Sequence, residues 1–178
     1  MNALRSPVFW LSSLVVLVCL FIVTAPAHAA VDPHAGSSPQ IIDIQNNPGG
    51  DVKEFYEHFS ELSKQGAIIR LHGYCASACT LLLLREFTGI KACAADDQAV
   101  FAFHKPFAFD KRHNILKTKT AIKISRMMWA SMLANFPYDV YQLLKDARIP
   151  SASEGDSEND VFVVPVIFFV PKCAEAAK

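Results

Sequence analysis

The chain has no surplus of either charge: 17 Lys and Arg stand against 17 Asp and Glu in 178 residues. That balance removes the electrostatic ground for a nucleic-acid partner, which needs a basic patch or stripe. Metal-ligand spacing is absent too. Cys75 and Cys79 are four apart, and no paired CxxC or HxxxH follows them, so neither a zinc site nor any other cofactor is expected. There is no internal repeat. Past residue 30 no apolar run approaches a spanning length. The stretch "VFVVPVIFFV" is broken at Pro165 and falls well short of the roughly 20 residues a membrane helix needs.

What is present begins with an export signal. Arg5 precedes the uncharged apolar run "PVFWLSSLVVLVCLFIV" (Pro7 to Val23), and Ala27-His28-Ala29 follows as a small-x-small cleavage site. Residues 1–29 therefore read as a secretory signal peptide, which places the rest of the chain in a secreted or periplasmic location. The alternative is an uncleaved anchor, the only route by which this chain would contact a membrane. Removing residues 1–29 from 178 leaves 149, with 16 basic and 17 acidic residues, a size that suits one domain. Four cysteines remain, Cys75, Cys79, Cys93 and Cys173, and an oxidising compartment makes two disulfides the natural reading, with three pairings open.

Residues 30–40 are rich in Pro, Gly and Ser and read as a disordered lead-in. One α/β domain is expected over 41–173, with a tail at 174–178. "IIDIQ" (Ile41 to Gln45) reads as a buried strand stopped by Asn46-Asn47-Pro48-Gly49-Gly50. Val52, Phe55, Tyr56, Phe59 and Leu62 then share one helical face, with Asp51 and Glu54 at its start, Lys64 near its end and Gly66 closing it. "AIIRLH" (Ala67 to His72) is a second strand. The apolar stretch from Ser77 to Arg85, if helical, is buried all round. Gln98 to His104 alternates as a third strand, helices follow at about 116–135 and 138–147, and 151–160 is a polar, acidic loop. The terminal apolar run is expected as a strand pair broken at Pro165. Strands alternating with helices imply parallel pairing.

In such a unit the loop at a strand's carboxyl end presents free N–H groups over the sheet edge. Paired glycines at 49 and 50 can turn theirs toward a ligand with no Cβ in the way. Ser77 sits where a helix begins, and His104 ends the third strand. Donors, a hydroxyl and an imidazole are the minimum set for acyl transfer. Each part also has a plain structural role: Ser77 as a helix N-cap, Gly49-Gly50 as a turn, His104 as a strand-end hydrogen bonder. The order and spacing of the three, taken together, favour chemistry.

At these residues the sequence resembles the ClpP/crotonase-like superfamily, in particular its small exported ClpP-like proteins. "NNPGGDV" matches the family's (S/N)PGG turn, "GYCASACTLLL" its nucleophile turn, and "AVFAFHKP" its histidine strand. They stand in the family's order, 27 residues from Gly50 to Ser77 and 27 from Ser77 to His104. The resemblance spans about residues 41–107 and implies a small ClpP/crotonase-like core that is N-terminally truncated, because only about ten residues of the mature chain precede Ile41. It also implies Ser77 as nucleophile, His104 as base, and the N–H groups of Gly49, Gly50 and Ala78 as an oxyanion hole. No carboxylate matches the family's third member. Asp139 and Asp156 are the candidates, with Asp146 and Glu154 behind them, and a Ser-Lys variant would use Lys105 or Lys111. The expected activity is an exported, peptidase-like serine hydrolase acting on a peptide or protein. The alternative is a non-catalytic ClpP-like interaction module that docks or oligomerises through the truncated sheet edge. Acyl-CoA chemistry is not expected, because an exported domain would not meet that cofactor. For the cysteines the expected pairs are Cys79–Cys93, bracketing the helix that begins at Ser77, and Cys75–Cys173.

N-terminal sequencing of the exported protein should start near Ala30. A full-length chain retained in the membrane fraction would instead establish an anchor.

Overall fold

The computed structural model of the protein describes residues 38–176. The expected signal peptide over 1–29 and most of the expected lead-in over 30–40 lie outside them. Strand β1 runs over Ile41–Asn47 and is followed by helix α1, Val52–Lys64. Asp51 caps α1, its Oδ1 accepting from the N–H groups of Lys53 at 2.8 Å and Glu54 at 3.1 Å. Such a cap is worth about 1 kcal/mol over alanine. Gly66, at φ +67°, ends the helix, and Ala67 N–H closes back on Leu62 O at 3.1 Å. The apolar face divides: Phe59 and Leu62 are buried, whereas Tyr56 stays exposed and donates its hydroxyl to Glu86 at 2.7 Å.

Strand β2 spans Ile68–Ala76, four residues beyond the His72 end expected from its pattern. The segment Gly73–Ala76 is strand and not loop. At Gly73 (φ +64°) the strand bulges against Asn46, whose Oδ1 accepts from Tyr74 N–H at 3.3 Å, and the β1–β2 register slips at the same place. The chain then enters a 3-10 helix, Ser77–Leu83, in which Ala78 through Leu83 are all buried. Of the stretch from Ser77 to Arg85 expected to be buried, Ala78 to Leu84 are buried, Ser77 is half-buried and Arg85 is exposed, and the helix is a tight 3-10 coil instead of an α-helix.

The third strand position is shared by two short strands. β3 (Lys91–Ala94) pairs with Ile68–Leu71 of β2, and β4 (Val100–Phe103) pairs with Tyr74–Ala76, both in parallel. β4 is a continuous apolar run, buried at Phe101, Ala102 and Phe103. The "KACA" of β3 is too short and too mixed to show such a run, and sequence analysis missed it. Strand β5 (Phe162–Pro165) adds antiparallel to β4, so the sheet is mixed, in the order β1-β2-β4-β5 with β3 beside β2. The expected second terminal strand does not form. After Pro165 the chain coils into a 3-10 turn, Val166–Phe168, with Val166 N–H held by Ala99 O at 2.9 Å.

Helix α2 covers Lys119–Asn135, capped by Thr118, and α3 covers Tyr138–Lys145. A short 3-10 turn at Ala152–Glu154 interrupts the acidic loop, and the expected tail begins as the short helix α4, Cys173–Ala176. The core holds Phe59, Phe101, Phe103, Phe136, Leu81 and Leu144, where the inner sheet face meets α1, α2, α3 and the long 3-10 helix. Among the described residues no helix is long and apolar enough to cross a membrane.

The disulfides correct the expected pairing. They join Cys75 to Cys79 and Cys93 to Cys173, not Cys79 to Cys93 and Cys75 to Cys173. The sharp turn out of β2 brings Cys75 and Cys79 to a Cα separation of 5.3 Å, inside the bridging range. Residue 94 bridges to Lys172, which sets Cys93 beside Cys173 at 4.8 Å. Two disulfides agree with an oxidising, non-cytoplasmic setting. Unreduced peptide mapping should recover these two pairs. Loop-closure entropy predicts unequal costs of removal: about 4–5 kcal/mol for Cys93 and Cys173 together, against about 2 kcal/mol for Cys75 and Cys79. Urea unfolding of the two double alanine variants measures the difference.

Candidate active site

β1 delivers Asn47-Pro48-Gly49-Gly50 at its carboxyl end. Gly49 has φ +85°, and its N–H donates to Asn47 Oδ1 at 2.8 Å, which folds the loop back on itself. A Cβ at Gly49 would stand 2.5 Å from Ala76 O, 2.6 Å from Ser77 Cβ and 2.8 Å from Ala78 N. The PGG loop therefore lies directly on the backbone of the β2 turn, and only glycine allows that approach.

Ser77 has φ +54°, a left-handed conformation that costs a non-glycine residue about 1–3 kcal/mol. It sits midway along the Cys75–Cys79 ring. The 3-10 helix has Ala76 as its N-cap, with no capping side chain, and Ser77 makes no side-chain hydrogen bond among the described residues. The helix-cap role is thus not the one Ser77 performs. Its carbonyl is engaged by Thr80 Oγ1 at 2.7 Å, while its hydroxyl is left free and half-buried. The N–H groups of Gly50 and Ala78 also have no acceptor among the described residues, whereas Gly49 N–H is already committed to Asn47. Of the three expected oxyanion donors, Gly50 and Ala78 are the ones with a hydrogen to offer.

His104 leaves the end of β4 half-buried, its ring 5.2 Å from that of Phe107. Its Nδ1 lies 2.9 Å from Lys105 O. A carbonyl can only accept, so in the neutral ring Nδ1 carries the proton and Nε2 carries the lone pair. Lys105 is itself anchored. Its N–H donates to Pro150 O at 2.8 Å, and its Nζ pairs with Glu154 Oε2 at 2.9 Å. Glu154 also accepts from Arg126 on α2. Lys105 first, and then Arg126, pull the Glu154 carboxyl down to about 2. Its folded pKa is depressed, so the stability it lends is present above the ordinary 4.5 and is lost as pH falls toward 2.

Gly49, Gly50, Ser77 and His104 line one cleft of about 680 Å³, together with Phe107 and Met128. No hydrogen bond joins Ser77 to His104 in this structure, and catalytic contacts are commonly loose before substrate binds. None of the carboxylates singled out from sequence bonds to the imidazole. Asp139 is exposed on the first turn of α3, and Asp146 is near Lys145. Asp156 accepts from Ser151 N–H at 2.8 Å and from Arg148 at 3.0 Å. The Ser-Lys variant is disfavoured, because Lys105 Nζ is held by Glu154, and Lys111 is exposed and does not line the cleft. The carboxylates that do line it are Asp51, occupied in capping α1, and Glu158. Glu158 lies inside the segment read only as a polar loop, and nothing in its local sequence marks it.

Gly49→Ala combines a disallowed φ with collision against rigid backbone and should cost about 3 kcal/mol in urea unfolding. Gly66→Ala, where a Cβ meets nothing within 4 Å, carries only the φ penalty and should cost about 1–2 kcal/mol. No protein-family model, curated protein or solved structure matches this chain.

Proposed function

We propose that the protein is an exported serine hydrolase of the ClpP/crotonase-like type, secreted or periplasmic, that acts on peptide or protein substrates. The observation that carries this reading is Ser77. A serine held left-handed, with a free hydroxyl and no capping bond, opens into the same cleft as an imidazole whose Nδ1 is already engaged. Strain of this kind persists where the surrounding structure imposes it, and a hydroxyl aimed at substrate is a sufficient reason for imposing it.

In this reading His104 Nε2 takes the Ser77 proton as Oγ attacks the substrate carbonyl. The resulting oxyanion meets the N–H groups of Gly50 and Ala78. Collapse breaks the scissile bond, the imidazolium returns its proton to the leaving amine, and water releases the acyl group by the same steps. The Lys105 carbonyl orients the imidazole as a triad acid would. It brings a dipole and not a full charge, so it stabilises the imidazolium less, and turnover should be slow.

A second reading has its own observation. Among the described residues β1 is an edge strand that pairs with β2 alone, and Ile41 on it is 56% exposed. A ClpP-like module without turnover would dock a partner there by strand addition.

Fluorophosphonate labelling separates the two. Wild type should label over hours and heat-denatured protein should not. Ser77→Ala and Ser77→Asn should both be silent, and His104→Ala should slow labelling by about 10²–10⁴. Because Ser77 caps nothing, Ser77→Ala should leave stability about unchanged, since it keeps the same left-handed strain, and Ser77→Asn should be neutral or slightly stabilising, since asparagine tolerates that conformation. A folded, oxidised wild type that stays unlabelled would support the binding module.

A further inference from the structure

A second, smaller cavity adjoins the cleft. It encloses about 190 Å³ between the segment after His104 and helix α2, and it shares Pro106, Phe107, Ala108 and Met128 with the cleft that holds Ser77. Its remaining walls are mostly apolar, with Leu116, Ala121 and Ile124 prominent among them. Thr118, Thr120 and Ser125 complete the lining, and of these Ser125, on the inner face of α2, is the one that is buried. It is 3% exposed, lines this cavity, and its Oγ has no hydrogen-bond partner among the described residues.

A hydroxyl buried in this way is unfavourable unless something completes it. Helical serines commonly satisfy themselves on the carbonyl one turn back, and Ser125 does not. An alanine would pack as well and would leave nothing unsatisfied, so the folded chain alone gives no reason for a hydroxyl at this position. A ligand that enters from the cleft supplies one.

We propose that this cavity receives the side chain on the acyl side of the scissile bond, and that Ser125 selects one that is apolar along its length and ends in a hydroxyl, a phenol such as tyrosine. The inference rests on the hydrolase reading for its place in a reaction, but not for the binding itself. Phe107 and Met128 line both the nucleophile's cleft and the cavity, which gives the side chain of a substrate held at Ser77 a route from one into the other. Phe107 and Met128 suit an aromatic ring, by ring contact and by sulfur–aromatic contact. A phenolic hydroxyl both donates and accepts, so it can complete Ser125 whichever way the serine hydrogen turns. Phenylalanine fills the same space and leaves both the hydroxyl and its burial cost in place. A site built to bond a hydroxyl rejects the analogue that lacks it far better than an apolar pocket rejects a change of size.

The test compares matched pairs that differ by one oxygen. Coumarin amides of N-acetyltyrosine and N-acetylphenylalanine, assayed on the oxidised protein, should differ in kcat/KM by about tenfold or more in favour of tyrosine. Ser125→Ala should bring that ratio to about one. Binding of N-acetyltyrosinamide and N-acetylphenylalaninamide to the Ser77→Ala variant, followed by calorimetry, should show the same preference with no chemistry involved. Ala121→Leu, which fills the cavity, should weaken both ligands while the chain remains folded. A tyrosine preference in binding without turnover would sink the hydrolase and keep the pocket. Turnover with equal rates for the two amides, or a preference that survives Ser125→Ala, would overturn the pocket and keep the hydrolase.

Discussion

The close approach of Gly49 to the turn out of β2 is the constraint on which the rest of the site depends. A loop from one strand end lies on the backbone of its neighbour with no room for a methyl group, and this fixes where Ser77 and Ala78 can be. The Cys75–Cys79 ring closes the same turn from the other side. Between them the two restraints hold a left-handed serine that free chain would abandon. The strain is local. Its support comes from β1, β2 and the buried 3-10 helix together, all anchored in one apolar core.

The imidazole is oriented by a different device. Where a triad would use a carboxylate, the Lys105 carbonyl accepts from Nδ1, and Lys105 is in turn secured by Pro150 O and by Glu154. A backbone acceptor cannot titrate, so the tautomer is held at any pH where the ring is neutral. The same acceptor carries a dipole and no formal charge. Geometry is preserved and electrostatic assistance is reduced. In the proposed hydrolase this balance would make turnover slow.

The remainder of the fold shows how a small chain supports a mostly parallel, mixed sheet. β3 and β4 share one side of β2, and the Cys93–Cys173 bond ties β3 to the C-terminal segment. β5 closes that side antiparallel, while β1 on the other has no covering strand among the described residues. Asp43 on this edge gathers Arg70 and His72 from β2, which hold its carboxyl below the usual range, Arg70 first. Charge at an edge of this kind discourages unplanned strand pairing.

Much of this was legible from sequence because it is written in local chemistry. The helix from Val52 with acids at its start, the stop at Gly66 and the apolar strand at Val100 to Phe103 are periodicity and propensity, and these elements formed where expected, although Tyr56 stays exposed and the strand is buried on both faces. The paired glycines, Ser77 and His104 were visible as motifs, and the structure brings them to one cleft. What sequence could not yield depends on partners distant in the chain. β3 has no pattern of its own and exists because β2 offers a free edge. The cysteines pair as they do because the turn at Ser77 is tighter than an α-helix and because Lys172 returns beside Ala94. The tautomer of His104 turns on one carbonyl, and every residue has a carbonyl. Glu158 enters the cleft, and Ser125 is left unpaired beside it, only through the packing of α2 and the acidic loop. Residue type decides what chemistry is on offer; long-range packing decides which atoms are left free to perform it, because burial and hydrogen bonding are settled by neighbours that the local sequence does not name.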